Sequence, residues 1–293
     1  MRGADRAGRG RRHRRGPAPV MKTDVGTEAV RALYTGRSDV TLTWQRRSVG
    51  ARAETETVRR ILRQWLPPAP ADVVDVGGGN GFFAFELTGT GYRVRLSDLT
   101  EALIDDARRR ADEQGQRLVA IDVADARRLP YADRSADAAL FFGPMYGLQS
   151  PADRALALAE VRRILRPAGV LVVESLTKAG GLRNLAHRDP AALTRIDIAR
   201  FVEDGVIAGP DLPRFYDGHV FLDPDDVAAE LTAAGLDVLD TVAVDGPHPL
   251  RQRTLAGADP AVVSAWADLA LYVGRQRSYW AAANHMLHVT RLS

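Results

Sequence analysis

The stretch Val73-Val74-Asp75-Val76-Gly77-Gly78-Gly79-Asn80-Gly81 constrains the fold of this chain more than any other. A short buried-strand pattern runs into a glycine-rich bend, and residues 82–87 then read as helix. Glycines at a strand-to-helix turn permit positive φ and let a ligand approach the backbone. The free amides at the helix start favour polar or anionic groups. A dinucleotide fingerprint needs glycines at relative positions one, three and six, but position six here is Phe82. The glycines at 77, 79 and 81 therefore fit a nicotinamide site poorly.

Around the bend, helix-period and strand-like segments alternate, which argues for an α/β domain. Residues 57–66 place Val58, Ile61, Leu62 and Trp65 on one helical face, and Pro67, Pro68 and Pro70 stop that helix. Strands are expected at 73–76, 92–96, 118–121, 138–142, 170–174, 236–244 and 285–291. A helix over 100–114 turns Leu103, Ile104 and Ala107 inward. Ser150-Pro151 and Asp223-Pro224 each put a capping oxygen before a first-turn proline, predicting helices over 151–166 and 224–234. A long helix starts at Pro260. Residues 177–220 interrupt the alternation, carry a further helix start at Asp189-Pro190, and read as helices plus loop.

At 293 residues and 45% apolar composition the chain can bury a sizeable core. It has no cysteine, which excludes a disulfide framework and thiolate metal sites and agrees with a cytoplasmic location. No run of about 18 apolar residues occurs, so no membrane partner is expected. The net charge of +3 is misleading: seven arginines against Asp5 give residues 1–20 a charge of +6, leaving −3 on the other 273. That tail lacks apolar periodicity and reads as disordered, while the mildly acidic remainder argues against a nucleic-acid partner. We therefore divide the chain into a tail over 1–20, an N-terminal helical cap over 21–70, and a domain over 71–293 with an insertion at about 177–220.

Two further acids lie where strands end. Asp98 comes 21 residues after Gly77, where a carboxylate can accept both hydroxyls of a ribose. Asp125 follows the third strand, where it could accept from an exocyclic adenine amine while the Ala126 amide donates to a ring nitrogen. Either acid alone is more often a turn or cap residue. Together, at the carboxyl ends of successive strands, they outline the crevice in which open α/β sheets bind ligands.

With these residues in place the chain resembles the class I S-adenosylmethionine-dependent methyltransferases of the small-molecule type. The resemblance runs through residues 73–81, Asp98, Asp125-Ala126-Arg127-Arg128-Leu129-Pro130-Tyr131, Asp137-Ala138-Ala139-Leu140 and the stretch 160–170. It implies a Rossmann-like, seven-stranded, mostly parallel sheet with helices on both faces and a helical cap or insertion. It also implies S-adenosylmethionine as cofactor and S-adenosylhomocysteine as product. By that resemblance Gly77, Gly78 and Gly79 border the methionine part and Asp75 supports its amino group. Asp98 and Leu99 serve the ribose end, Asp125 and Ala126 the adenine, and Phe142 and Gly143 the sulfonium. Pro167-Ala168-Gly169 stands where the family usually has Pro-Gly-Gly, a change in a turn.

Methyl transfer from a sulfonium is an in-line displacement in which alignment is the main catalytic effect, and a general base is needed only for some acceptors. For the acceptor side Tyr146, in Gly143-Pro144-Met145-Tyr146, is the first choice as catalytic and substrate-binding residue, with packing of its ring the alternative. Tyr34 and Trp44 flank a short helix that could lid the site, with core or surface packing the alternative, and Arg52 could reach the cofactor carboxylate, with a solvated charge the alternative. His219 is the general-base candidate and a second substrate contact, because histidine titrates near neutrality; a structural histidine is the alternative. His285 and His288 would point to opposite faces of a strand, so no metal site is expected.

The expected partner is a small-molecule acceptor, with oligomeric state open and a homodimer among the options. Gly143-Pro144-Met145-Tyr146 replaces the Asn/Asp-Pro-Pro-Tyr/Phe pattern of amino-methylating nucleic-acid enzymes. A non-catalytic S-adenosylmethionine-binding regulatory or partner subunit of the same fold is the alternative. An aminopropyl transferase would call for an acidic run after the fourth strand, which is missing. Asp98 is expected to be an exposed strand-end carboxylate that contributes little to the core.

Overall fold

The computed structural model describes residues 25–35, 49–208, 211–212, 216, 218–245 and 259–293. The expected tail over 1–20 and Trp44 lie outside these residues. Strand β1 (Asp72–Val76) is buried along its whole length, as an apolar strand covered on both faces must be. It lies between β2 (Arg93–Asp98) and β4 (Ala136–Phe141), and β3 (Ala120–Val123) forms the edge beyond β2. The sheet continues through β5 (Leu165–Leu176), β7 (His285–Leu292) and β6 (Leu236–Ala243), giving the order β3-β2-β1-β4-β5-β7-β6. All pairs are parallel except those of β7, which runs antiparallel to both β5 and β6.

Alternate residues of the central strands feed two cores. Val74 and Val76 pack with Phe141 against Leu158, Val161 and Ile164 of the helix Pro151–Ile164 and Val227 and Leu231 of the helix Pro224–Ala233. Val73, Leu96 and Leu140 pack on the other face with Val58, Ile61 and Leu62 of the helix Val49–Trp65 and Ile104 and Ala107 of the helix Glu101–Gln114. The helix Val49–Trp65 is thus a layer of the sheet rather than part of a cap. Its apolar face meets Val73 and Leu140, which corrects the placement of residues up to 70 in the cap segment. Residues 178–204 carry the helices Lys178–Arg188 and Ile198–Asp204 with a 3-10 turn over Pro190–Thr194. Leu185, Phe201, Tyr216 and Phe221 give this insertion its own small core, and Tyr146 packs against it.

The expected strand bounds fail where the pattern of apolar residues misleads. β3 starts two residues later than the apolar run suggests, because Val119 and Val123 sit exposed on an edge strand. β5 begins already at Leu165, opposite Ala136, and resumes at Val170 opposite Ala138. The intervening Ala168 has a φ of 62°, the left-handed conformation that glycine adopts at no steric cost. Ser150 and Asp223 occupy N-cap positions without a side-chain capping bond; Asp223 instead pairs with Lys178 at 3.1 Å. Among the described residues no helix is long and apolar enough to cross a membrane.

Candidate functional site

The reversal of strand order between β1 and β4 opens a crevice at the carboxyl ends of the strands, the position where such sheets bind ligands. The bend after β1 enters it with φ values of 70° at Gly77, 58° at Gly79 and 79° at Gly81. A Cβ on Gly77 would lie 2.5 Å from Pro144 Cδ, and one on Gly143 would lie 3.0 Å from the Gly77 carbonyl oxygen. The two loops therefore touch, and only glycine permits the approach. A Cβ on Gly78 would meet the Asp75 carboxyl group at 2.4 Å, so that acid sits directly beneath the bend. On Gly79 the nearest atom would be Leu103 Cδ1 at 3.8 Å, which leaves this glycine's outer face open to a ligand.

Asp98 ends β2 inside the same crevice. One carboxylate oxygen accepts from the Gly79 amide at 2.9 Å and the other from the Thr100 amide at 2.7 Å. It is buried, which corrects the expectation of an exposed strand-end group. The bend after β1 folds back over the end of β2 and places the Gly79 amide on it. Burial raises the pKa of Asp98, against the hydrogen bonds from Thr100 and Gly79. Burial also pushes Asp75 up to about 7, with the charge of Asp98 adding to the rise. Neither makes an ion pair with a described lysine or arginine. Two buried carboxyl groups beside an open glycine face suit a ligand that brings an ammonium group and hydroxyl donors, as S-adenosylmethionine does.

Asp125 has a partner the sequence did not reveal. Arg127 donates to its two oxygens from Nε at 3.0 Å and Nη2 at 2.7 Å, and the Arg127 amide adds a third bond at 2.9 Å. Arg127 also pairs with Asp153 at 3.0 Å. Asp125 thus anchors the turn after β3, with half-buried Ala126 beside it. Leu99 is half-buried next to Asp98. Phe142, at the end of β4, stands edge-on to Phe83 with ring centres 5.4 Å apart.

The three residues expected on the acceptor side come together. The ring of His219 lies 5.4 Å from that of Tyr146 and 6.3 Å from that of Tyr34. Tyr146 lies on the short helix Pro144–Gly147 directly after β4, and Tyr34 ends the helix Val25–Tyr34. His219 is fully buried. Burial holds the Tyr146 phenol well above its ordinary pKa, with Glu174, Tyr34, Asp98 and Glu54 all adding to the rise. Tyr146 is therefore neutral near pH 7. Arg52 is half-buried on the helix Val49–Trp65.

Those charges on Tyr146 lead to a group that sequence reasoning missed. His285 Nδ1 lies 2.9 Å from Glu174 Oε1 and 3.7 Å from Glu54 Oε1, and one ligand atom from each residue falls within 4.8 Å of the others. Burial works against the imidazolium of His285, yet Glu54, Glu174 and Asp245 together raise its pKa. Glu54 is itself shifted upward by burial, with His285 opposing. No local spacing signals this group, because helix, β5 and β7 each supply one member. His288 faces the other side of β7, as expected for a residue three positions on, between Ser175 at 3.2 Å and Thr241 at 3.3 Å. Burial lowers its pKa to about 4 and keeps it neutral.

Residues 74–173 match the family described as Methyltransferase domain. Over 120 residues the chain is 37% identical to the ubiquinone/menaquinone biosynthesis C-methyltransferase UbiE of Paracoccus denitrificans, covering 39% of this chain and 46% of that one. It is also 37% identical over 133 residues to the demethylmenaquinone methyltransferase of Deinococcus radiodurans, covering 44% and 54% of the two chains. The chain spans about half the length of these curated relatives. The crystal structure of Burkholderia thailandensis 1,6-didemethyltoxoflavin-N1-methyltransferase, with bound 1,6-didemethyltoxoflavin and S-adenosylhomocysteine, is similar in fold. The TM-score is 0.56 at 16% identity, over 94% of this chain and 93% of that one.

Proposed function

We propose that this chain, whose residues 74–173 match a methyltransferase domain, is a class I S-adenosylmethionine-dependent methyltransferase that transfers a methyl group to a small organic molecule. The observation that carries this reading is the convergence of the open Gly79 face, the buried Asp75 and Asp98, and the Tyr34–Tyr146–His219 group at one end of the sheet. S-adenosylmethionine supplies an activated methyl on sulfur. Gly77, Gly78 and Gly79 would border its methionine part, Asp75 its amino group, and Asp98 with Leu99 its ribose. Asp125 and Ala126 would meet the adenine, and Phe142 and Gly143 the sulfonium. Rings near a sulfonium add cation–π attraction of roughly 0.5–2 kcal/mol.

The chain's own contribution is alignment of acceptor and methyl donor. Tyr146, Tyr34 and His219 would hold the acceptor, Tyr146 as a neutral donor and His219 as the group able to take a proton where the acceptor must lose one. The test is incubation with methyl-labelled S-adenosylmethionine and a panel of amines, phenols and carbon acids, reading both labelled product and S-adenosylhomocysteine. Transfer to one acceptor class, lost in Tyr146→Phe, supports the reading. Uptake of the cofactor with no S-adenosylhomocysteine released from any acceptor would instead mark a non-catalytic binding subunit.

A further inference from the structure

We infer that Glu54, Glu174 and His285, together with the rings of Tyr34 and Tyr146, form a subsite for a cationic nitrogen, so that the acceptor is an amine-bearing molecule. The inference rests on the methyltransferase reading for its word acceptor and on the geometry of the cluster for its charge. Glu54 carries the argument. Its side chain is 9% exposed, and its carboxylate makes no hydrogen bond among the described residues. Its nearest charged partner is His285 Nδ1 at 3.7 Å, which is already engaged with Glu174 at 2.9 Å.

A carboxyl group nine-tenths removed from solvent and without a hydrogen bond is costly to ionise, and a ligand bringing positive charge and N–H donors offsets that cost. The groups that act on Glu54 include two more acids, Glu174 and Asp245, against the one imidazole. Asp245 has one oxygen paired with the Asn284 amide and side chain at 2.9 and 2.6 Å, while its buried Oδ1 has no hydrogen-bond partner. Among the described residues, the groups acting on Glu54 thus include two acids and one imidazole.

Two features favour an organic ammonium over a metal ion. First, a metal ion bound at His285 Nδ1 would break the Glu174–His285 hydrogen bond, whereas an ammonium can bond to Glu54 and leave that pair intact. Second, Tyr146 lies within electrostatic reach of both Glu54 and Glu174, and its ring and that of Tyr34 both lie close to His219. Aromatic faces beside carboxylates suit alkylammonium groups, through cation–π attraction. An amine held there can give its proton to the Glu54 carboxylate, which leaves the nitrogen lone pair free and the carboxyl neutral. Tyr146 also feels the charge of Asp98, so the subsite adjoins the cofactor end of the crevice.

The test uses N-methylbenzylamine, a cation near neutral pH, its neutral isostere benzyl methyl ether, and Mn²⁺, each titrated calorimetrically into the full chain with and without S-adenosylhomocysteine. The expected result is amine binding at least tenfold tighter than ether. That preference should be lost in Glu54→Gln and reduced in Glu174→Gln, with circular dichroism and S-adenosylhomocysteine affinity unchanged in both. Equal affinity for amine and ether, including failure of both to bind, overturns the inference, as does a preference that survives both substitutions. Stoichiometric Mn²⁺ binding that depends on Glu54 and blocks the amine overturns it in favour of a metal site. S-adenosylhomocysteine binding, read in the same titrations, reports on the methyltransferase reading separately. If it binds and the amine preference is absent, only the subsite falls.

Discussion

The Asp98 carboxylate accepts the Gly79 amide proton at 2.9 Å, a contact that ties the end of β2 to the bend following β1. With the Thr100 amide on its other oxygen, this acid both shapes the cofactor crevice and satisfies two backbone donors inside it. Asp98→Ala is therefore expected to weaken S-adenosylmethionine binding at least tenfold and also to lower stability by about 1–3 kcal/mol, the cost of leaving buried donors unmet. Asp98→Asn keeps an acceptor for one amide and should recover part of the stability. Calorimetry and urea unfolding measure the two effects, and unchanged affinity in both variants would remove S-adenosylmethionine from this crevice.

Asp75 predicts a proton linked to cofactor binding. Between the ordinary aspartate value near 4 and about 7, the folded chain holds a proton on Asp75 that the unfolded chain has released. Folded stability through this group therefore falls as pH rises across that window and levels off above it. The stability of Asp75→Asn relative to wild type should rise by on the order of 1.4 kcal/mol per pH unit there. A ligand ammonium favours the ionised acid, so binding at pH 6 should release up to about one proton, fading by pH 8. Calorimetry in buffers of different ionisation heat reads this directly, and release that persists in Asp75→Asn would rule Asp75 out as its source.

Tyr146→Phe removes a hydroxyl whose proton is held tightly. Turnover should fall on the order of tenfold, the worth of one hydrogen bond to the acceptor, with S-adenosylhomocysteine affinity kept. Because the phenol is neutral, the shape of the pH–rate profile should match that of wild type below pH 9. A change in that shape would mean that Tyr146 titrates during the reaction.

Ala168 holds a φ of 62° in the turn that interrupts β5, where a Cβ crowds the following carbonyl. Ala168→Gly relieves that strain and gives back part of it as unfolded-chain entropy, for a net gain of about 0.5–1 kcal/mol. Urea unfolding measures it. Cofactor affinity should not move, since this turn lies at the opposite end of β5 from Leu176, Glu174 and the crevice.

Local chemistry made the bend, its flanking strand and helix, and the strand-end acids readable in the chain itself. Glycine spacing, apolar periodicity and the rule that ligands sit at carboxyl ends of parallel strands all act over a few residues or one βα unit. The same reasoning gathered Tyr34, Tyr146 and His219 on one side, and the fold brings the rings of Tyr34 and Tyr146 to 6.3 and 5.4 Å from that of His219. What tertiary structure alone decided are the relationships between distant segments. The antiparallel insertion of β7 beside β5 carries His285 to Glu174, and the helix packed over that face brings Glu54, 120 residues away, to both. The burial of Asp98 and the capture of Asp125 by Arg127 likewise depend on how loops close over one another. Desolvation and charge pairing are properties of an environment, and an environment exists only once the chain has folded.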